Sequence, residues 1–153
     1  MFFRAPVLVA IMGLVWGGVA LAAETQAPPL QVFKSATCSC CSAWIKHMTQ
    51  HGFTAEAQDV AAGELARIKQ SAGIGPQHAS CHTAKIGGYS IEGHVPAADV
   101  KRLLAEKPDA VGLAVPGMPI GSPGMEAGDT REPYEVLLIK RDGTSEVWSK
   151  QNQ

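Results

Sequence analysis

Thr37-Cys38-Ser39-Cys40-Cys41 places three of the chain's four cysteines within four residues. A short apolar run, Leu30 to Phe33, precedes it, and Ser42 to His51 follows with the pattern of a helix. Cys38 and Cys41 have the C-x-x-C spacing that marks a thiol redox or thiolate metal site at a strand-to-helix junction. Cys40 is the additional element. A third sulfur has no obvious use in simple disulfide exchange, but it suits a soft metal ion that prefers several thiolates. The N–H groups and positive dipole end of the following helix favour thiolate over thiol.

Upstream of this stretch, residues 1–23 read as a targeting segment. Arg4 supplies a basic start, Val7 to Ala20 is apolar, and Ala20-Leu21-Ala22 is a small-x-small pattern that places cleavage after Ala22 or Ala23. The alternative is a retained anchor, since the apolar run is almost long enough to cross a bilayer. Cleavage after residue 23 of 153 leaves 130 residues, one domain's worth of chain. Of the 13 basic residues only Arg4 is removed while all 14 acidic ones stay, so the net charge moves from −1 to −2. That balance gives no electrostatic case for nucleic acid, and after cleavage no segment is left for a membrane. Residues 24–29 are a proline-tipped linker, and residues 30–153 form the single domain.

Export bears on the cysteines. Four in an oxidising compartment ordinarily mean two structural disulfides, but a bond between adjacent Cys40 and Cys41 would be strained. A Cys38–Cys41 disulfide is plausible as one redox state of the site, with most of its metal-binding capacity lost.

Downstream, Trp44, Ile45 and Met48 share one helix face directed at the core, and Gly52 ends the helix. His47 and His51 form an i, i+4 pair on another face that could chelate a metal, but with nothing else in the segment to support them they read as a solvated pair. Phe53 to Val60 alternates as a strand, Glu64 to Ser71 is a second helix, and Cys81 leads into a strand at Thr83 to Ile86. Gly87-Gly88 turns that strand into another, Tyr89 to Glu92. Pro96 opens a third helix with Val100, Leu103 and Leu104 facing in, closed by Pro108. Val111 to Asp129 carries too many glycines and prolines for a helix or central strand and reads as a long loop. Tyr134 to Lys140 and Ser145 to Lys150 make a C-terminal hairpin. The fold expected is α/β and thioredoxin-like, a mixed sheet with flanking helices plus that hairpin.

This order brings Cys81 into the site. If the third strand runs antiparallel beside the first, its start lies beside the end of the first, so Cys81 meets the C-x-C-C loop. Cys38, Cys40, Cys41 and Cys81 are then the candidate metal ligands. His82 is a weaker candidate because it is nearby. His94 lies one strand further out and reads as a capping or outer residue. Met118 and Met125, in the long loop, are weaker candidates as thioether donors to Cu(I), each with core filling as the alternative.

The C-x-C-C after an apolar strand, Ala79-Ser80-Cys81-His82-Thr83-Ala84, Ile91-Glu92-Gly93-His94-Val95-Pro96, and Gly112 to Pro119 with Gly121-Ser122-Pro123-Gly124-Met125 resemble the CopG-type family of exported copper-resistance proteins. The resemblance spans roughly residues 30 to 150. It implies a thioredoxin-like fold, a cysteine-ligated Cu(I) site, a periplasmic role in copper tolerance alongside other copper-handling proteins, and redox handling of Cu(I) and Cu(II). Ala36 stands where proline is expected before Thr-Cys, which alters backbone stiffness and not the ligand set. The competing expectation is a thiol-disulfide oxidoreductase with Cys38 as nucleophile and Cys41 resolving, in which Cys40 would compete. A structural zinc site is a third, less well matched to an exported chain with a methionine-bearing loop.

Overall fold

The computed structural model describes residues 28–153; the targeting segment and most of the linker expected from the sequence lie outside them. Among the described residues no helix is long and apolar enough to cross a membrane. The elements run β1 (Leu30–Lys34), α1 (Ser39–Gln50), β2 (Ala55–Asp59), α2 (Ala62–Ser71), a 3-10 turn (Pro76–His78), β3 (Thr83–Ile86), β4 (Tyr89–Glu92), α3 (Ala97–Glu106), β5 (Gly112–Ala114), β6 (Tyr134–Ile139) and β7 (Ser145–Gln151). They form one mixed seven-stranded sheet in the order β2-β1-β3-β4-β5-β6-β7.

Strand β1 pairs parallel with β2 and antiparallel with β3, with Phe33 opposite Thr83. The end of β1, which feeds the C-x-C-C loop, therefore lies beside the start of β3, which follows Cys81. This is the adjacency expected from the chain order. Strand β4 pairs antiparallel with β3 through the tight Gly87-Gly88 turn.

Alternation along the strands sorts the residues onto two faces. Leu30, Val32, Ala84, Ile86, Ile91, Leu113, Val136 and Leu138 build the main core with Trp44 and Met48 of α1 and Val100 and Leu103 of α3. Each large side chain buried there contributes about 1.5–3 kcal/mol. The opposite face has a smaller apolar cluster of Ile74, Ala114 and Ile139. Thr83, Ser90 and Glu92, offset by one residue from the core positions, are buried polar groups. Lys69 of α2 and the carbonyl of its C-cap residue Ala72 supply partners for them.

The segment read as one loop from Val111 to Asp129 is corrected at its start. Gly112–Ala114 is a fully buried central strand, parallel to β4 and antiparallel to β6. Here the glycine makes the strand possible rather than breaking it: a Cβ at Gly112 would lie 1.7 Å from the Ser90 carbonyl oxygen. The C-terminal hairpin is thereby continuous with the sheet through β5. Helix α1 also begins earlier than its apolar pattern indicates, at Ser39, so Cys40 and Cys41 belong to its first turn.

Candidate metal and thiol site

Strand β1 delivers the chain to the turn at Ser35–Thr37, and Cys38 caps α1 with its own sulfur. Cys38 Sγ accepts from the Cys41 N–H at 3.3 Å, the position an N-cap oxygen ordinarily fills. Cys38 and Cys41 are joined as a disulfide, while Cys40 and Cys81 are free thiols. Cys41 is buried and the other three are partly exposed, so the cluster opens to solvent on one side.

The sulfurs converge from two segments, the start of α1 and the residues just before β3. Cys40 Sγ lies 3.5 Å from Cys38 Sγ and 4.0 Å from Cys81 Sγ. Within the set Cys38, Cys40, Cys41 and Cys81 all ligand atoms fall within 4.8 Å of one another. A second set, Cys81, His82 and His94, meets the same limit and shares Cys81 with the first. His82 Nδ1 stands 3.3 Å and His94 Nε2 3.1 Å from Cys81 Sγ.

The placement of His94 differs from the sequence expectation of a capping or outer residue. Although β4 is one strand out from β3, the chain turns at Gly93, where Gly93 N–H donates to the His82 carbonyl and Val95 N–H to the Gly93 carbonyl. The imidazole is thereby brought back over Cys81. His94 Nδ1 lies 2.8 Å from the Pro123 carbonyl oxygen. A carbonyl only accepts, so Nδ1 carries the proton and Nε2 turns its lone pair toward the sulfur, the arrangement that orients a ligating histidine. Burial lowers its pKa below the usual histidine value, which keeps the ring neutral. The sequence signal was present in Gly93-His94-Val95-Pro96, but the Pro123 contact that orients the ring spans 29 residues.

His82 is fully buried, packed on Trp44 at 4.4 Å between ring centroids and edge-on to His94 at 5.1 Å. Its pKa is held well below the usual value, first by burial and then by the repulsion that a protonated ring would meet from a protonated His94 and from Lys69. Its Nε2 has no hydrogen-bond partner among the described residues. Trp44 is fixed by its Nε1–H donating to the Val95 carbonyl at 2.9 Å, which ties α1 to the start of α3 beside the site.

The long loop closes over this cluster. Gly117 N–H donates to the Ala79 carbonyl at 3.3 Å, and the Ser80 hydroxyl donates to the Gly117 carbonyl, so the Met118 turn lies beside the Cys81 segment. Met118 is 50% exposed and Met125 half-buried, with Met125 held in a backbone turn by Ser122 and Gly121. His47 and His51 are not both solvated as expected. His47 is half-buried, and its Nε2 accepts from the Ala97 N–H at 3.2 Å, at the start of α3.

In chemical terms the donor set is soft: up to four sulfurs, two of them locked as a disulfide in this state, with two neutral imidazoles behind one of them. Such donors fit a soft, thiolate-preferring ion and offer no carboxylate to a hard one. The family described as a protein of unknown function, DUF411, matches residues 78–125. No match was found among curated proteins. Two solved structures are similar throughout the described domain. One, copper resistance protein CopG in form 1, has 41% identity and a TM-score of 0.77 over 83% of this chain and 99% of its own. The other, form 2, has 43% identity and a TM-score of 0.75 over 81% of this chain and 98% of its own. The chain belongs to the CopG family. The DUF411 match covers the part of this CopG-family chain that contains Cys81, His82, His94 and the 116–125 loop, but not the C-x-C-C stretch.

Proposed function

We propose that this protein is an exported copper-handling protein that holds Cu(I), as cargo, through Cys38, Cys40, Cys41 and Cys81 and so contributes to copper resistance. The observation that carries the reading is the convergence of all four ligand sulfurs within 4.8 Å, drawn from segments 40 residues apart. Its relatives of 41 and 43% identity are described as copper resistance proteins, which supports copper as the soft ion. The proposal includes a thioredoxin-like fold for residues 30–153, cleavage of residues 1–23, residues 24–29 as linker, and a periplasmic location with copper exchanged among other copper-handling proteins. Met118 and Met125 are candidate thioether donors, and His82 and His94 candidate imidazole donors behind Cys81.

Redox state gates such a site. With Cys38 and Cys41 oxidised, two of the four sulfurs are bonded to each other, so full loading requires their two-electron reduction by a thiol or another reductant. The dithiol thereby couples copper capture to redox state, consistent with Cu(I)/Cu(II) handling.

A second reading has one observation in its favour. The Cys38–Cys41 disulfide is what a thioredoxin-type oxidoreductase acting on protein substrates would carry in its oxidised form. The two readings separate at Cys40. For copper handling, Cys40→Ser and Cys81→Ser each lower Cu(I) affinity or stoichiometry in an anaerobic titration, and Cys40→Ser lowers copper tolerance in cells. For general disulfide exchange, Cys40→Ser keeps or improves turnover in a disulfide-reduction assay and complements fully. Wild-type copper binding by Cys81→Ser would contradict a site built on four sulfurs.

A further inference from the structure

Behind the metal site, on the sheet face covered by α2, lies a buried charge pair that the sulfur chemistry does not use. Glu92, at the end of β4, has a fully buried side chain, and Lys69 of α2 leaves 12% of its own exposed. Glu92 Oε1 accepts from Lys69 Nζ at 2.5 Å and from the Ser80 backbone N–H at 2.6 Å. Glu92 Oε2 accepts from the Thr83 hydroxyl at 2.5 Å, and Thr83 Oγ1 in turn accepts from Lys69 Nζ at 2.9 Å. One carboxylate therefore holds the chain on both sides of Cys81-His82.

Ion pairs buried to this degree are a poor source of stability, because desolvation offsets most of their attraction. An apolar pair would fill the same space. What an apolar pair cannot do is fix the Ser80 N–H and the Thr83 hydroxyl to one point and thereby set the backbone between them. Glu92 is also two residues before His94, and its own carbonyl accepts from Val115 N–H at 3.0 Å, which leads into the loop at Gly117. The carboxylate thus stands at the junction of the three segments that present Cys81, His94 and the Met118 turn.

We propose that Glu92, charge-balanced by Lys69, is a positioning residue for the copper site: from the opposite face of the sheet it sets Cys81 at ligating distance from the C-x-C-C sulfurs, with His82 beside it. This role rests on the Cu(I)-binding reading. It predicts that neutralising the carboxylate weakens metal binding beyond what loss of stability explains. Glutamine keeps the shape but replaces one acceptor oxygen with an amide NH2. It also leaves the Lys69 ammonium facing a neutral group.

The test compares fully reduced, metal-free wild-type protein with Glu92→Gln, Lys69→Met and Thr83→Val. Cu(I) affinity is measured anaerobically against a competing chelator, well below each variant's Tm. Tyr89→Phe is the control, because it removes a hydrogen bond to the Pro108 carbonyl at the other end of β4. Glu92→Gln and Lys69→Met should lose about 10- to 100-fold in Cu(I) affinity, the range for residues that orient metal ligands. Thr83→Val should lose less, but more than threefold, and Tyr89→Phe should stay within threefold of wild type. Affinity within threefold of wild type in Glu92→Gln, or in Thr83→Val if Glu92→Gln does not fold, overturns the role. An equal loss in Tyr89→Phe also overturns it. Wild-type protein that takes up no Cu(I) would instead remove the functional reading, and the positioning role would fall with it.

Discussion

Cys81 has Cys40 on one side and two imidazoles on the other. Burial, and after it the neighbouring Cys40, push its thiol from 9.0 up to about 11. In the metal-free protein Cys81 therefore keeps its proton at neutral pH, and a metal ion must displace that proton to bind. Two outcomes follow. Alkylation of Cys81 in the folded, metal-free protein should be slow at pH 7 and accelerate as pH approaches about 11, read by mass spectrometry of the modified peptide. Stability has the same origin: the unfolded thiol ionises near 9.0 and the folded one near 11, so the folded state binds more protons between those values. This contribution to stability is complete below pH 9.0 and is lost as pH rises through about 11. Rapid alkylation of Cys81 at pH 7 would contradict the half-buried, protonated thiol.

At the scale of elements, the site depends on how closely the 117–125 loop approaches α1. A Cβ at Gly124 would lie 2.7 Å from Trp44 N and 2.8 Å from the Cys40 carbonyl oxygen, backbone atoms that cannot move aside. Gly117 has a similar left-handed conformation but nothing within 4 Å. Alanine at either position has the backbone strain, roughly 1–2 kcal/mol, and only at Gly124 is a collision added. Gly124→Ala should therefore destabilise the metal-free protein by at least about 1 kcal/mol more than Gly117→Ala in urea unfolding. It should also pull the Pro123 carbonyl away from His94 and weaken Cu(I) binding. Equal destabilisation by the two would mean that the loop does not seat on α1 as described. The same loop shows where sequence patterns stop being informative. The meeting of Cys81 with Cys40 was legible because strand order alone places the start of β3 beside the end of β1. The position of His94 was not, because it depends on a carbonyl in a loop without periodicity. Strand β5 escaped detection because three residues are too few to show alternation, and its first residue is a glycine required by contact with Ser90.

For the molecule as a whole, the sheet separates two tasks. The α1–α3 face is an apolar core that ends in Trp44 and His82 at the sulfur cluster. The α2 face is smaller and carries the buried Lys69–Glu92 pair, which holds the Cys81 segment from behind. The sequence indicated the first face through its apolar spacing. It gave no sign of the second, since a lysine in a helix and a glutamate at a strand end ordinarily read as solvated. On the proposed function, the four sulfurs act as one copper site whose capacity is set by the Cys38–Cys41 bond. The direct measurement is an anaerobic Cu(I) titration of residues 24–153 in the reduced and disulfide forms, with free thiols counted at each point and a parallel Zn(II) titration. The reduced form should bind Cu(I) with all four thiols protected, the disulfide form should bind fewer ions or bind them more weakly, and Zn(II) should not displace Cu(I). Equal Cu(I) binding by the two forms, or a preference for Zn(II), would contradict it.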